Sequence, residues 1–268
     1  MFTRPRRSCL TVPASSPRML EKAASLPADE VVVDLEDGVA VDAKEEARER
    51  LATAQARGTL AIRVNGLATP WWRDDLAAAA EVRPDVVVVP KVESAEDVAA
   101  VAELLPAGVG LEVQIETARG LVEVERIAAA GPPLEALVFG PGDFAASLGV
   151  PVLTIGAGSW EYALERIAVA ARAFGLQAVD GPYAVLRDLD GLRASAHRAL
   201  AHGFDGKWVV HPDQIAPVND VFTPSPEELE RARRILAAAD GAVLLDGAMV
   251  DAASKRLAEA VLARAGLL

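Results

Sequence analysis

Short, β-branched apolar runs return eight times along this chain, each separated from the next by a stretch of helical composition. The runs are C-L-T-V-P (9–13), E-V-V-V-D-L (30–35), L-A-I-R-V-N (60–65), V-V-V-V-P-K (86–91), L-E-V-Q-I-E (111–116), A-L-V-F-G (136–140), L-Q-A-V-D (176–180) and K-W-V-V-H (207–211). Their length and residue types suit strands. Between them, D-A-K-E-E-A-R-E-R-L-A and S-A-E-D-V-A-A-V-A-E-L-L carry helical periodicity, with Ser94 and Asp97 forming a capping box and Asp42 placed as an N-cap. Eight strand–helix units predict an α/β fold, a (β/α)8 TIM barrel. An open doubly wound sheet fits less well, because it usually has fewer strands and the first turn lacks a G-x-G-x-x-G loop. Composition shifts only near T-P-S-P (223–226), so residues 1–222 are read as the barrel and 223–268 as a C-terminal helical extension.

Chemistry in such a barrel belongs at the C-terminal ends of its strands. Those ends carry Asp34, Glu36 and Asp37, Arg63 with Asn65, Lys91 with Glu93, Glu116, Asp143, Asp180 and His211. Any one of these acids could simply cap the following helix, but charge at nearly every strand end is more than a structural barrel needs. Glu116 closes L-E-V-Q-I-E and precedes T-A-R-G, where it is either a helix cap or a ligand for something positive. Asp143 follows the next strand in G-P-G-D-F (140–144). Neighbouring strands lie about 4.8 Å apart, so the two carboxylates can share one ligand. Two such charges raise each other's pKa unless a cation intervenes, and hard oxygen donors without Cys or His suggest Mg2+. Arg63 is either a counter-ion for Asp34 or Glu36, or a clamp for a carboxylate or enolate. His211 reads as a satisfied structural residue, and Trp71 and Trp72 as packing or rim residues.

The net charge is −12, from 27 basic and 39 acidic residues. No basic stripe with interleaved aromatics marks a nucleic-acid surface, and an anionic substrate would need local cations against the overall field. The single cysteine, Cys9, excludes an intrachain disulfide and fits a reducing compartment. The apolar stretch after M-F-T-R-P-R-R-S is too short for a secretory signal, and no run is long enough to span a membrane. A cytoplasmic protein is expected.

Eight motifs occur in order: R-S-x-L-x-V-P (7–13), V-D-L-E-D-G-V (33–39), R-V-N (63–65), P-K-V-E (90–93), I-E-T-A-R-G (115–120), F-G-P-G-D-F-A-A-S-L-G (139–149), G-F-D-G-K-W-V-V-H-P-x-Q (203–214) and M-V-D (249–251). Together they resemble the HpcH/HpaI aldolase superfamily, in its CitE-like branch of citrate lyase β-subunits and malyl- or citramalyl-CoA lyases. The resemblance implies a TIM barrel that holds Mg2+ through Glu116 and Asp143 and cleaves, or forms, a C–C bond in a short β-hydroxyacyl thioester, carried by CoA or an acyl carrier protein. The products would be a keto acid and an acyl-thioester enolate. It places Arg63 at the enolate and Asp251, from a neighbouring subunit, at the proton transfer. Glu36 and Asp37, with Asp34, would support the metal and Arg63. Arg18, Lys22, Pro90 and Lys91 fall on the thioester-cofactor side. A homotrimer or hexamer is implied, the extension reaching over a neighbour's site.

Thr11, Ala14, Ser16 and Gly142 depart from the residues commoner in that family: an aromatic, Gly, Arg and Glu respectively. The first three bear on CoA recognition, which Lys22 and Arg18 could supply instead. Two other readings stand beside the lyase. One is class II aldol cleavage of a free 2-keto-4-hydroxy acid, which M-V-D and P-K-V-E argue against. The other is a non-catalytic or partner-dependent subunit.

Overall fold

The computed structural model describes residues 4–151, 153–156 and 158–267; the M-F-T of the leader reading lies outside them. Chain packing divides the protein into two compact units, one ending at Asn219 and the other running from Asp220.

In the first unit the strands are β1 (Ser8–Pro13), β2 (Glu30–Asp34), β3 (Thr59–Arg63), β4 (Val86–Val89), β5 (Gly110–Ile115), β6 (Leu134–Phe139), β7 (Gln177–Asp180) and β8 (Gly206–Val209). They form a closed barrel in sequence order, every neighbour parallel and β8 returning to β1. All eight strands lie on the expected runs. The intervening helices are α1 (Pro17–Ala23), α2 (Lys44–Arg50), α3 (Trp72–Val82), α4 (Ala95–Ala102), α5 (Ala118–Val122), α6 (Val124–Ala128), α7 (Pro141–Leu148), α8 (Glu161–Ala173) and α9 (Leu189–Ala201); the boundary between the units falls within α10 (Ile215–Phe222). The fold is a (β/α)8 barrel.

Strand alternation sends every second side chain inward. Cys9, Val32, Ala61, Val86, Val88, Val138, Val179 and Trp208 form one buried cluster. The floor is polar. Arg6, just before β1, reaches Glu112 and Gln177, lies 3.3 Å from Glu30 and bonds Glu135 at 2.6 Å. Glu30 and Glu112 are fully buried there. The Glu30 carboxyl is pushed well above the usual range by burial and by the Glu112 charge.

Helix starts follow local chemistry. Ser94 and Asp97 make the expected capping box on α4, and Thr117 caps α5 by accepting from the Gly120 amide. Asp42 is not an N-cap. It sits inside a 3-10 turn, Val41–Ala43, and Ala43 is the residue that precedes α2.

The second unit holds α11 (Pro226–Ala237), a hairpin of β9 (Val243–Leu245) and β10 (Ala248–Val250), and α12 (Ala252–Arg264). Ala232, Ala258 and Leu262 form its small core. Ser225 with Glu228 caps α11, and Asp251 with Ser254 caps α12.

Candidate active site

Register brings the charged residues of the mouth together. Pairing of β2 with β3 sets Asp34 opposite Arg63. Arg63 grips Asp34 with two parallel bonds, Nε to Oδ1 at 2.7 Å and a terminal nitrogen to Oδ2 at 2.8 Å. Its other terminal nitrogen lies 2.7 Å from Glu36 Oε2 and 3.3 Å from Gln114 Oε1. Its guanidinium also lies over the Trp208 ring, 5.3 Å from the centroid. Arg63 is thus the counter-ion of Asp34 and Glu36. Asp34 is kept below the usual carboxylate range although burial opposes it, because Arg63 and the amides of Glu36 and Gly38 all favour its charged form.

Glu116 does not cap α5, since Thr117 does. The Glu116 side chain is buried, and its Oε1 accepts from the backbone N–H of Lys91 at 2.8 Å. Pairing of Ile115 with Phe139 runs it alongside Gly140. A Cβ at residue 140 would lie 2.2 Å from Glu116 Oε2, so the carboxylate has room only because that residue is glycine. Burial, Glu36 and Asp143 push the Glu116 carboxyl up to about 8. Asp143, in the first turn of α7, is half-exposed.

These groups line one cavity of about 190 Å3 at the C-terminal end of the barrel. Thr11, Asp37, Arg63, Gln114, Glu116 and Asp143 supply its polar lining; Gly140, Ile155, Pro182 and Trp208 help to close it. Lys91 stands among the acids, with Nζ against Glu36, 3.6 Å from Asp37 Oδ2 and 3.7 Å from Asp143 Oδ1. A second groove of about 360 Å3 opens between β1, α1 and the end of β8, lined by Ser16, Arg18, Met19, Lys22 and His211 among others. Thr11 and Val210 line both spaces.

The expected residues thus fall into three places. Arg63, Glu36, Asp37, Glu116, Asp143 and Lys91 share the mouth. Arg18 and Lys22 share the groove, and Lys91 is not with them. Pro90 is buried beside Lys91. Asp251 caps α12 of the second unit, its carboxylate accepting from the Ala253 and Ser254 amides. His211 accepts from the Asp213 amide, as a structural residue would. Trp71 and Trp72 stack beneath Lys44 and Arg73. Asp180 turns away from the mouth to pair with buried Lys207, which also donates to the Gly181 carbonyl at 2.7 Å. Gln114 and Trp208 were not singled out by sequence, although polar residues at 112, 114 and 116 share one strand face.

A divalent ion fits the mouth. Glu116 is a buried acid short of positive charge, Asp143 is near enough to raise it further, and Gly140 leaves the space. Among the described residues no cluster of three or more His, Cys, Asp or Glu side chains could hold a metal. An ion bound here would take Glu116 and Asp143 as its protein donors and leave its other positions to substrate and water, as Mg2+ allows.

The C-terminal mouth of this barrel thus gathers carboxylates around one clamped arginine, a charge arrangement suited to holding an oxyanion or a cation. A sequence profile of the HpcH/HpaI aldolase/citrate lyase family matches residues 7–212, and the chain belongs to that family. It is a carbon–carbon lyase by class. It is 39% identical to an L-malyl-CoA/β-methylmalyl-CoA lyase of Cereibacter sphaeroides, covering 99% of this chain and 96% of the relative. A (3S)-malyl-CoA thioesterase of the same species is 42% identical over 92% of this chain and 90% of its own. The crystal structure of CitE from Mycobacterium tuberculosis with magnesium, acetoacetate and coenzyme A superposes with a TM-score of 0.85 at 36% identity, covering 98% of this chain and 99% of that one.

Proposed function

We propose that this protein cleaves, or in reverse forms, the C–C bond of a short β-hydroxyacyl-CoA of the malyl or methylmalyl type, releasing a keto acid and an acyl-CoA. The observation that carries this is the pair Glu116 and Asp143 in one cavity with a clamped Arg63. The relatives' names supply the thioester class.

Glu116 and Asp143 would hold Mg2+, which supplies Lewis-acid charge to the keto-acid portion of the substrate. Arg63 offers a fixed positive charge where the enolate oxygen develops. Asp34 and Glu36 hold its orientation and keep it protonated, so it acts by charge and not as an acid. Asp251 of a neighbouring subunit would move the proton at the enolate carbon, in a homotrimer or hexamer whose extension covers the adjoining mouth. Arg18 and Lys22 give the groove local positive charge for the CoA phosphates, against a net charge of −12. A buried, unpaired Cys9 supports a cytoplasmic setting. Among the described residues no helix is long and apolar enough to cross a membrane.

The thioesterase relative favours a second reading, hydrolysis of the same thioester. Products separate the two. Cleavage of malyl-CoA gives glyoxylate with the thiol still acylated; hydrolysis gives malate and a free thiol. Phenylhydrazine trapping of the keto acid beside a thiol-reactive dye decides it. Keto acid without thiol is expected, and thiol without keto acid would overturn the lyase reading.

A further inference from the structure

Lys91 meets two demands at once. Its φ of 55° puts a non-glycine residue in the sparsely populated left-handed region. That turn aims its backbone N–H at Glu116 Oε1, 2.8 Å away. Its side chain crosses to the other acids: Glu36 in direct contact, Asp37 at 3.6 Å and Asp143 at 3.7 Å. The other cation of the mouth, Arg63, is committed to Asp34 and Glu36. Among the described residues, Lys91 is the cation paired with Asp143. A left-handed position suits Gly, Asn or Asp better than a long cation, so the backbone does not account for lysine here. The ammonium does.

We propose that Lys91 is the internal counter-cation of the metal site: its ammonium competes with a divalent ion for Asp143 and the neighbouring carboxylates, and so sets how tightly the ion is held. The inference rests on the reading that Glu116 and Asp143 hold the metal. The Lys91 side chain is 36% exposed, so its ammonium can withdraw into water and the competition is partial. Charge, not shape, is the operative property. An uncharged residue leaves the carboxylates to the ion alone, while arginine preserves the competition.

Mn2+ is a suitable probe, with free ion counted by electron paramagnetic resonance at fixed pH and low ionic strength on the full chain after EDTA treatment and desalting. Lys91→Met is expected to bind Mn2+ about tenfold or more tightly than wild type, as removal of a like charge a few ångströms away requires. Lys91→Gln, polar and uncharged, should tighten binding similarly and guards against a folding defect in K91M. Lys91→Arg should remain close to wild type. Wild-type binding with K91M and K91Q equal or weaker would overturn the role of Lys91 and leave the metal site standing. No Mn2+ bound by wild type would overturn both.

Discussion

Gly140 shows how much one missing atom decides. Because a Cβ there would meet both Oε2 and Cβ of Glu116, Gly140→Ala must turn that carboxylate out of its place. A displacement of about 1 Å at a reacting centre costs about 10²-fold in rate. Gly140→Ala is therefore expected to lower kcat by about that factor with circular dichroism unchanged. Arg63 is equally exacting. Lysine keeps the charge but loses the planar fork that bridges Asp34 and Glu36. Arg63→Lys should reduce kcat by about 10²-fold or more, the scale of losing one oxyanion donor. Steady-state kinetics on the thioester substrate test both, and near-wild-type turnover in either would refute the corresponding role.

At the scale of elements, α4, α5, α9, α11 and α12 each start where a side chain accepts from an orphan amide. Ser94→Ala removes one half of the α4 capping box and should cost about 1 kcal/mol in urea denaturation, with kcat unaffected. The strands, the α4 capping box and the charged residues at strand ends were legible in sequence because each has a local signature: β-branched runs, Ser-x-x-Asp, charge closing a run; Asp42 was misread as a cap because a 3-10 turn precedes α2. The misses have a non-local cause. Along β5 and the residue that follows it, Glu112, Gln114 and Glu116 form a buried ladder from the floor to the mouth, facing Arg6, Arg63 and the Lys91 amide in turn. Alternation alone reads polar positions as outward, but in a parallel barrel both faces are buried and polarity marks partners instead. The fourth strand stops at Val89, earlier than its run, because Pro90 has no N–H to pair and Lys91 turns left-handed. That turn sets the Lys91 side chain among the acids of the mouth, apart from Arg18 and Lys22 of the groove.

For the whole molecule, the barrel has charge at both ends but uses it differently. The mouth is partly open to solvent and chemical. At the floor, buried Arg6 is set among the fully buried Glu30 and Glu112 and the part-exposed Glu135, which it shares with Arg4. Burial and Glu112 raise Glu30, so the folded state holds a proton that the unfolded chain releases above about 4.5. Its contribution to stability is complete below that unfolded value and is lost as pH rises through the folded one. Glu30→Gln keeps the shape without the charge, so it should flatten the loss of stability toward alkaline pH. Urea midpoints across pH check this; a variant and wild type that decline in parallel would mean Glu30 is ionised in the fold.

The central claim is that Glu116 and Asp143 together hold the ion that drives the lyase chemistry. Crystals grown with Mn2+ and oxaloacetate, measured for anomalous scattering, test it most directly. The prediction is a single strong peak bonded to a carboxylate oxygen of each residue at about 2.2 Å, with the keto acid on the open side of the ion toward Arg63. A peak liganded elsewhere in the barrel, or none between these two carboxylates, would contradict it.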